Sequence, residues 1–486
     1  MLQLIESDPN LIKRVPCADQ EIAGLTADSR TVRPGFLFAA LPGSQQHGST
    51  FIPDAISRGA VAILGEPGFD APGDVVRIES TNPRRSLALM AARFFGEQPH
   101  TVAAVTGTNG KTSVAAFTRQ LWSLLGHRAA SLGTLGLVAP DMRRPGSLTT
   151  PDPVTLHKDL ADLAAAGVRH AVIEASSHGL DQFRLDGIRL AAAAFTNLSR
   201  DHLDYHPTMA AYLAAKRRLF ADLLPSGGAA VLNADIPEFD ELATLCRQQG
   251  HRVLSYGRNG TEIRLVRLEP LANGQRLELD VMGRTTELTL PLVAGFQAMN
   301  ALAALGLVIG CGAEPAQATE LLSRLEGVPG RIQLAAVRRN GAAVYVDYAH
   351  TPDALETVLV ALRPHARRKL VVLFGCGGDR DPGKRPMMGA VAARLADRVI
   401  VTDDNPRTED PALIRRQILA TCPGAIEIGA RREAIFRAVA DLMPGDVLVL
   451  AGKGHEQGQI VGTTVHPFDD VAVARDAVAA ADGGQA

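Results

Sequence analysis

The chain has 486 residues, and its 50 Lys plus Arg against 52 Asp plus Glu give a formal net charge of −2. This near balance excludes the strongly basic surface that nucleic-acid binding requires, so no nucleic-acid partner is expected. Hydrophobic residues make up 46% and charged residues 21%, which excludes a disordered chain. At about 150 residues per domain, the length favours roughly three globular domains.

The cysteines and the apolar segments indicate where the protein is found. Five cysteines are widely spaced and form no C-x-x-C pair, which is typical of reduced thiols rather than of a disulfide framework or a zinc ribbon. The N-terminal residues lack the basic and apolar regions of a signal peptide. The most apolar stretch, 291–313, contains Gln297 and Asn300, which favours a buried helix over an integral membrane segment. These features predict a cytoplasmic protein.

Strands and helices alternate along much of the chain. Short apolar runs bounded by Gly or Pro predict strands, and runs with helical periodicity that stop at Gly predict helices. The predicted elements are, in chain order, strands 59–64, 75–78 and 101–105, helix 114–125, helix 152–166, strand 168–173, helix 208–224 with Thr208 as N-cap, a hairpin over 275–290 turning at Gly283, helices 297–309 and 314–326, a linker at 327–330, and strands 343–346, 370–374, 399–402 and 447–451. This alternation predicts an α/β fold with parallel sheets that are covered on both faces.

A glycine-rich segment, G-T-N-G-K-T-S at 107–113, lies between a predicted strand and a predicted helix. Glycines let the backbone approach phosphate oxygens, and free N–H groups at a helix start bind anions. Lys111 can reach the β- and γ-phosphates, and a hydroxyl of Thr112 or Ser113 can bind Mg²⁺. Val105 stands where the usual consensus has Gly, so the loop is a compact variant, and an ordinary turn is the alternative. The predicted ATP-binding residues of this loop are Gly107, Thr108, Asn109, Gly110, Lys111, Thr112 and Ser113.

The loop and several further motifs resemble, in their order, the Mur ligases and their relatives, the folylpolyglutamate synthases. The motifs are E-A-S-S-H-G-L (174–180), F-T-N-L-S-R-D-H-L-D-Y-H (195–206), Y-L-A-A-K (212–216), V-D-Y-A-H-T-P-D (346–353), G-C-G-G-D-R-D-P-G-K-R-P (375–386), D-N-P-R (404–407) and A-G-K-G-H-E (451–456). Together with Asp28-Ser29-Arg30, these matching motifs are distributed along essentially the whole chain. The resemblance implies a ligase that uses ATP as a substrate and Mg²⁺ as a cofactor, and forms an amide through an acyl phosphate.

The resemblance also implies a domain plan and a reaction. It predicts a UDP-substrate-binding α/β domain over 1–98, a central P-loop ATPase domain with a parallel sheet and a small antiparallel β element over 99–328, and a Rossmann-like amino-acid-binding domain over 329–486. D-N-P-R resembles the members that add meso-2,6-diaminopimelate to UDP-N-acetylmuramoyl-L-alanyl-D-glutamate, a cytoplasmic step of peptidoglycan precursor synthesis, and a monomer is expected. A lysine-adding Mur ligase and a folylpolyglutamate synthase are same-class alternatives, and a P-loop ATPase switch is an alternative from another class.

The expected catalytic and metal-binding residues lie in these motifs. Glu174 ends an apolar strand, where a carboxylate can hold Mg²⁺ beside a phosphate loop or can cap a local group. The resemblance makes His202, otherwise a structural histidine, a second metal ligand. It makes Lys216 a carbamylated lysine (N6-carboxylysine) with oxygen ligands for the metal, whereas a solvated basic face is the plain interpretation of the cluster at 216–218. The predicted catalytic residues are Lys111, Glu174, His202 and Lys216, and the predicted metal ligands are Thr112, Glu174, His202 and Lys216.

The resemblance assigns further residues to the three substrates. Most of these types, considered singly, are more often solvated or turn-stabilising residues. Gln297 stands where the family more often has a second asparagine near the adenine. The resemblance implies that the residues of the third domain reach the nucleotide when the domains close. The additional predicted ATP-binding residues are Asn197 and Asn300, and, in the third domain, Arg331, Asp347 and His350. The predicted UDP-substrate-binding residues are Ser29, Ser44, Gln45, Gln46, Thr149, Thr150, Ser176, Gln182 and Arg184.

The segment D-N-P-R predicts the identity of the amine substrate. Arg407 presents a planar fork that matches a carboxylate, and Arg380 is a second carboxylate partner. Glu456 can accept the distal ammonium of a diamino acid. A plain β-turn is the alternative for this segment taken alone. The predicted diaminopimelate-binding residues are Arg380, Asp404, Asn405, Pro406, Arg407, Gly452 and Glu456.

Overall fold

The computed structural model describes residue 4 and residues 8–14, 20–43, 46–72, 74–146, 148–202, 205–271 and 273–483. The chain divides into two compact units. The first comprises residues 1–264 and 302–319, and the second comprises residues 265–301 and 320–486. The predicted UDP-substrate residues Ser44 and Gln45 lie outside the described residues.

The N-terminal part of the first unit is a small α/β layer. Its elements are β1 (Leu11–Arg14), β2 (Gly24–Thr26), β3 (Phe36–Ala39), α1 (Ile52–Ser57), β4 (Ala60–Gly65), β5 (Val76–Ser80) and α2 (Pro83–Phe95). The sheet order is β1-β5-β4-β3-β2, with β1 antiparallel and the other strands parallel. Asn82 caps α2 by accepting a hydrogen bond from Arg85 N at 3.1 Å. The two strands predicted in this region are confirmed as β4 and β5.

A central parallel sheet forms the rest of the first unit. Its elements are β6 (Thr101–Thr106), α3 (Lys111–Leu124), β7 (Ala129–Gly133), β8 (Gly136–Ala139), β9 (Met142–Arg144), α4 (Pro153–Ala165), β10 (His170–Glu174), α5 (Ser177–Asp181), β11 (Leu190–Phe195), α6 (Met209–Arg218), β12 (Ala229–Asn233), α7 (Phe239–Gln248), β13 (Arg252–Gly257) and the start of β14 (Ile263–Leu271). From β13 the order is β13-β12-β11-β6-β10-β7, all parallel, followed by the antiparallel β8 and β9.

The register of this sheet places two predicted features at one edge. Glu174, the last residue of β10, pairs with Val105 of β6, directly before the glycine-rich loop. The carboxyl ends of parallel strands meet at the same edge of a sheet, which is where ligands bind in open α/β folds. The sequence prediction that a carboxylate stands beside the loop is consistent with this register.

Several helix boundaries differ from those predicted. The helix after the loop begins at Lys111 rather than at 114, because Gly110 adopts φ +90° and serves as its N-cap. The helix predicted over 208–224 has Thr208 as its N-cap, but it ends at Arg218 and continues as a π-helical turn over Leu219–Leu223. The helix predicted over 314–326 ends at Glu320 and gives way to a 3₁₀ turn. Periodicity does not distinguish these tighter and wider turns from an α-helix.

The second unit begins with a β-hairpin. Its strands are β15 (Gly274–Val281) and β16 (Arg284–Leu290), and the two turn residues, Met282 and Gly283, both have positive φ, as a type I′ turn requires. The predicted hairpin is therefore confirmed. The next helix along the chain, α8 (Gly295–Gly310), belongs to the second unit up to residue 301, and its remainder and α9 (Pro315–Glu320) up to residue 319 belong to the first unit. Among the described residues, no helix is both long and apolar enough to cross a membrane.

A doubly wound sheet forms the C-terminal part of the second unit. Its elements are β17 (Gln333–Val337), β18 (Ala343–Asp347), α10 (Pro352–Leu362), β19 (Leu370–Phe374), α11 (Lys384–Leu395), β20 (Arg398–Val401), α12 (Pro411–Leu419), β21 (Ile426–Glu427), α13 (Arg431–Ala440), β22 (Val447–Ala451), β23 (Gly458–Val461), β24 (Thr464–Pro467) and α14 (Asp470–Gly483). The order is β17-β18-β22-β19-β20-β21, with only β17 antiparallel among these strands, and β23 and β24 form a separate hairpin.

Alternate residues of β22 belong to two different apolar cores. Val447, Val449 and Ala451 pack into one cluster, and Leu448 and Leu450 pack into the other. Since successive side chains point to opposite faces of a strand, both faces of this sheet are covered. The predicted strands 343–346, 370–374, 399–402 and 447–451 are confirmed, whereas β17 and the β23–β24 hairpin were not predicted.

Candidate active site

Backbone carbonyls of the glycine-rich loop accept hydrogen bonds from two lysine side chains. Lys111 Nζ donates hydrogen bonds to Gly107 O at 2.8 Å and Thr108 O at 2.9 Å. Lys216 Nζ donates to the same Gly107 carbonyl at 2.9 Å. Two lysine side chains that share one carbonyl at the N-terminus of α3 make this the kind of place where a polyphosphate binds.

Asn197 and Thr196, which directly follow β11, hold the backbone of the loop. Asn109 N donates to Asn197 Oδ1 at 2.9 Å, and Asn197 Nδ2 donates to Asn109 O at 3.2 Å. Thr196 Oγ1 donates to the same carbonyl at 2.6 Å. The predicted ATP-binding residue Asn197 therefore supports the loop in this structure, and Thr196 is a supporting residue that the sequence analysis did not identify.

Replacing Gly107 by Ala is expected to distort the loop. Gly107 has φ +142°, and an added Cβ would lie 1.9 Å from Thr196 Oγ1. We expect Gly107→Ala to lower kcat/KM for ATP by roughly tenfold to a hundredfold, because a displaced loop no longer positions the phosphates. Steady-state kinetics at varied ATP measures the effect.

Gly126→Ala is the matched control for this substitution. Gly126 has φ +89° with nothing within 4 Å of the added Cβ. Alanine at position 126 therefore has a backbone cost similar to that at position 107, on the order of 1 kcal/mol in the free energy of unfolding, without the steric clash. Equal losses of ATP turnover in the two variants would contradict the packing argument.

Glu174 forms the second part of the site and is 2% exposed. Its Oε2 accepts a hydrogen bond from Thr112 Oγ1 at 2.9 Å, and its Oε1 accepts one from Thr134 N at 2.8 Å. Glu174 and Thr112 were both predicted as metal ligands, whereas Thr134 was not predicted. A carboxylate and a hydroxyl next to a phosphate loop are hard oxygen donors of the type that Mg²⁺ prefers, so the residues fit this ion.

The other two predicted metal ligands, His202 and Lys216, both lie near Tyr212. The His202 ring lies 6.1 Å from the Tyr212 ring, and Lys216 Nζ lies 4.3 Å from that ring's centroid. Within the described residues, no three His, Cys, Asp or Glu side chains form a cluster that could hold a metal. This agrees with the usual Mg²⁺ site, in which one or two carboxylates are complemented by substrate phosphates.

Lys216 is fully buried, unlike its neighbours in the basic cluster. Burial, together with the positive charge of Lys111, lowers the pKa of Lys216 to about 6. Its amine is thus mostly neutral at pH 7 and can act as a nucleophile. The interpretation of residues 216–218 as a solvated basic face is wrong for Lys216. It is also wrong for Arg218, whose Nη2 donates hydrogen bonds to both carboxylate oxygens of Asp186 at 2.7 Å.

Polar residues predicted to bind the UDP substrate are joined to Glu174. Thr150 Oγ1 donates to Glu174 O at 2.6 Å and accepts from Ser176 N at 2.9 Å. Arg184 Nη1 donates to Thr150 O at 2.6 Å, and its Nη2 donates to Gln182 Oε1 at 2.7 Å. The structure therefore brings Thr150, Ser176, Gln182 and Arg184 together, and Thr149 joins them through the Thr134 hydroxyl at 3.2 Å.

The remaining predicted UDP-substrate residues lie in the N-terminal part of the first unit. Ser29 is buried in the 3₁₀ turn Ser29–Thr31, which Asp28 caps by accepting a hydrogen bond from Arg30 N. Gln46 is exposed.

In the second unit, Asp347 is the centre of the predicted nucleotide residues. Its two carboxylate oxygens accept hydrogen bonds from Ile332 N at 2.7 Å and Ala349 N at 2.8 Å. Burial nevertheless raises the pKa of Asp347 to about 6. The two Asp347 oxygens thus hold the backbone at Ile332, before β17, and at Ala349, two residues after the end of β18.

Amide groups connect α8 to the start of the C-terminal part. Asn300 Nδ2 donates to Gln297 Oε1 at 2.9 Å, and Gln297 Nε2 donates to Arg331 O at 3.1 Å. The guanidinium of Arg331 lies 5.4 Å from the ring of Tyr348, whose carbonyl contacts His350 Nδ1 at 2.8 Å. Gln297, which departs from the family pattern, therefore orients Asn300.

The predicted amino-acid site is a loop held by the unpredicted hairpin. Arg407 N donates to Ile460 O at 3.1 Å, and Gly462 N donates to Arg407 O at 2.8 Å. Arg407 has φ +49°, an uncommon conformation for a residue with a side chain, and its Nη1 donates to Gly378 O at 2.8 Å. Such a conformation is maintained only when surrounding contacts impose it, and it is frequent at functional sites.

The other predicted residues of this loop differ in exposure. Asp404 is buried, and an added Cβ at Gly452 would lie 2.6 Å from its Oδ2. The carbonyl of Pro406 would lie 1.9 Å from a Cβ at Gly378, so this turn packs directly on the glycine segment. Arg380 is exposed, with Nη1 3.3 Å from Asp379 O. Of the predicted set, Asn405 therefore contacts Glu456 directly, Gly452 lies against Asp404, and Pro406 and Arg407 both lie against Gly378.

Lys453 is the residue of this region that the sequence analysis missed. It is fully buried, and its Nζ donates to Asn405 Oδ1 at 2.9 Å and Glu456 Oε2 at 3.2 Å. Its position within the motif A-G-K-G-H-E was the available signal.

Family models match three successive segments of the chain. The Mur ligase family catalytic domain matches residues 21–95, the Mur ligase middle domain matches residues 105–308, and the Mur ligase glutamate ligase domain matches residues 330–454. The fold and the phosphate loop define a nucleotide-binding α/β protein. The chain belongs to the Mur ligase family, as these matches and its full-length relatives show.

Curated relatives are similar to nearly the entire chain. UDP-N-acetylmuramoyl-L-alanyl-D-glutamate--2,6-diaminopimelate ligase of Bradyrhizobium diazoefficiens is 55% identical, and 95% of each chain is covered. The ligase of the same name from Caulobacter vibrioides is 53% identical, covering 97% of this chain and 99% of the relative. A solved structure with that name has a TM-score of 0.74 at 35% identity, covering 94% of this chain and 95% of the other.

A MurF ligase from Thermotoga maritima, solved in complex with ADP, has a TM-score of 0.61 at 19% identity, with 97% of this chain and 100% of the other covered. At that identity it supports the fold alone. The α/β fold predicted from the sequence is confirmed.

Proposed function

We propose that the chain is an ATP-dependent ligase that joins meso-2,6-diaminopimelate to UDP-N-acetylmuramoyl-L-alanyl-D-glutamate, and that it works as a monomer in the cytoplasm in peptidoglycan precursor synthesis. The observation that carries the proposal is the pairing of two sites in one chain. One is the phosphate loop with Lys111 and Lys216, and the other is the D-N-P-R loop with Arg407 and Glu456. The relatives named above support the same reaction.

The reaction has two steps. The γ-phosphoryl group of ATP moves to a carboxylate oxygen of the UDP-dipeptide, which releases ADP and leaves an acyl phosphate. The amine nitrogen of diaminopimelate then attacks the acyl carbon, the C–O bond to phosphate breaks, and the nitrogen loses a proton to give the amide. Lys111 offsets the charge of the moving phosphoryl group, as preorganised cations do in such transfers.

The two substrates that are not ATP need different partners. We infer that Ser29, Gln46 and the Thr150–Arg184 group bind the anionic UDP-dipeptide, because hydroxyls, amides and a guanidinium suit its phosphates and carboxylates. Glu174 and Thr112 would hold Mg²⁺ next to the phosphates, and a carbamate on Lys216 would add oxygen ligands. Arg407 and Arg380 would pair with the distal carboxylate of diaminopimelate, and Glu456 with its distal ammonium.

An amino-acid screen tests this function. The protein, ATP, Mg²⁺ and the UDP-dipeptide are incubated with diaminopimelate, lysine or glutamate, and amide product and phosphate are measured. We expect product with diaminopimelate and little with the other two. ATP turnover should need both the UDP-dipeptide and the amino acid. Turnover without them would favour an ATPase switch, and use of lysine or glutamate would favour the lysine-adding ligase or the folylpolyglutamate synthase.

Replacing Lys111 by Ala is expected to leave the fold intact and to lower kcat by roughly a hundredfold, because the γ-phosphoryl charge loses its nearest cation. Single-turnover formation of ADP measures the step directly. Lys158→Ala is the control, since Lys158 is exposed and forms a surface ion pair with Asp162 at 2.6 Å, four residues on. Near-native turnover by a folded Lys111→Ala protein would refute the role of the loop.

A further inference from the structure

Lys453 is fully buried, and its ammonium group contacts the partly exposed carboxylate of Glu456. The side chain of Lys453 is 0% exposed, whereas that of Glu456 is 34% exposed. Their contact is 3.2 Å, from Nζ to Oε2. Lys453 therefore does not reach a ligand in solution, but Glu456 does. A buried cation is retained when polar partners compensate for its lost hydration, and here they are Glu456 and Asn405.

The side-chain amide of Asn405 is oriented by three neighbours. Its Oδ1 accepts hydrogen bonds from Lys453 Nζ at 2.9 Å and Ile460 N at 3.0 Å, and its Nδ2 donates to Glu456 Oε2 at 2.9 Å. A flipped amide would direct its NH₂ group at two donors and its oxygen at a carboxylate, so only one orientation is compatible with the site. Since both acceptor positions of Oδ1 are used and Asn405 is 4% exposed, its side chain acts through Glu456.

Lys453 and Asn405 both hold the same oxygen of Glu456. Among the described residues, Oε1 accepts no hydrogen bond, and Oε2 carries both contacts. We propose that Lys453 is a positioning residue of the amino-acid site. Its ammonium fixes Oε2 and the Asn405 amide, so that Oε1 is held in one place to accept a hydrogen bond from the ammonium group of the incoming amino acid. This inference rests on the function proposed above.

The same contacts couple the hairpin to the site. Ile460 lies on β23, and its N–H binds the Asn405 oxygen that Lys453 orients. The neighbouring Gln459 Nε2 donates to Asp404 O at 2.6 Å. Loss of the Lys453 ammonium would free Asn405 to rotate and would loosen both Glu456 and the edge of the hairpin next to Arg407.

Lys453→Met, which keeps the length of the side chain but removes its charge, tests the proposal. We expect KM for diaminopimelate to rise by roughly tenfold to a hundredfold, because a mispositioned carboxylate loses its charged hydrogen bond. The KM values for ATP and the UDP-dipeptide should stay within about twofold of the wild type, a split that general destabilisation would not produce. Lys369→Met, an exposed lysine before β19, is the matched control and should change none of them.

A double-mutant cycle with Glu456→Gln identifies the route of the effect. If Lys453 acts through Glu456, the double variant should bind diaminopimelate no worse than Glu456→Gln alone, within about twofold. Additive losses, or an unchanged KM for diaminopimelate in Lys453→Met, would overturn the proposal. If Lys453→Met does not fold, Lys453→Leu replaces it, since leucine also lacks an N–H donor, and the same split of KM values is required. A wild type that makes no product with diaminopimelate would refute the proposed function instead.

Discussion

Lys216→Ala is expected to be almost inactive, with kcat reduced by at least about a thousandfold, and to regain part of its rate when a small carboxylic acid is added. The side chain is fully buried beside the phosphate loop, and its pKa of about 6 leaves the amine neutral at pH 7. A neutral amine attacks CO₂ through its nitrogen lone pair and loses a proton, which gives an anionic carbamate. An added acid restores an anionic oxygen pair in the cavity left by the alanine.

The measurement combines kinetics with depletion of bicarbonate. Wild-type activity should fall when the protein is kept in CO₂-free buffer below pH 6, where the amine becomes protonated, and should return with bicarbonate at pH 8. Arg217→Ala is the control because Arg217 is the next residue on α6 and forms only a partly exposed ion pair with Glu241. An active Lys216→Ala protein, insensitive to both bicarbonate and added acid, would show that the lysine serves only packing.

The sequence predicted the order of the elements well, because apolar runs and glycine stops are local signals. Strands such as β6 and β22 are buried along their whole length and have apolar interior residues, which makes them easy to recognise. The hairpin β23–β24 was missed because its second strand, Thr464–Pro467, is exposed along its length and has no apolar alternation. That hairpin supports the D-N-P-R loop, so part of the candidate site was missed with it.

Local sequence also cannot determine which of several adjacent cations is buried. Lys216 and Arg217 are neighbours in one basic cluster, yet only Lys216 is buried against the loop. Which face of α6 is covered depends on the packing of α5 and the glycine-rich loop against it, a long-range property. The same holds for Lys453, whose burial depends on Asn405 and Glu456, 48 residues before it and three after it. The family resemblance identified the motifs, and the structure shows which of their residues, such as Asn197 and Asn405, hold neighbouring backbone and side-chain groups.

Arg407→Ala is expected to abolish the preference for diaminopimelate over lysine. A site built to pair a distal carboxylate leaves Arg407 without a partner when lysine binds, and such sites reject the analogue by roughly ten-thousand-fold. Arg407 has φ +49°, and alanine has the same backbone restrictions, so the substitution removes the guanidinium without adding strain.

The ratio of kcat/KM for diaminopimelate to that for lysine, measured in both proteins, tests this specificity. The ratio should fall by a factor of about a thousand or more in Arg407→Ala, because the unpaired charge that penalises lysine is gone together with the carboxylate's partner. Arg407→Lys should be intermediate, since an ammonium keeps the charge and loses the planar fork. Arg416→Ala, an exposed arginine on α12 of the same part of the chain, should leave the ratio unchanged. If the wild type prefers lysine, or if the ratio is the same in both proteins, the D-N-P-R segment is a turn without a role in specificity, and the amino-acid site must be sought elsewhere in the chain.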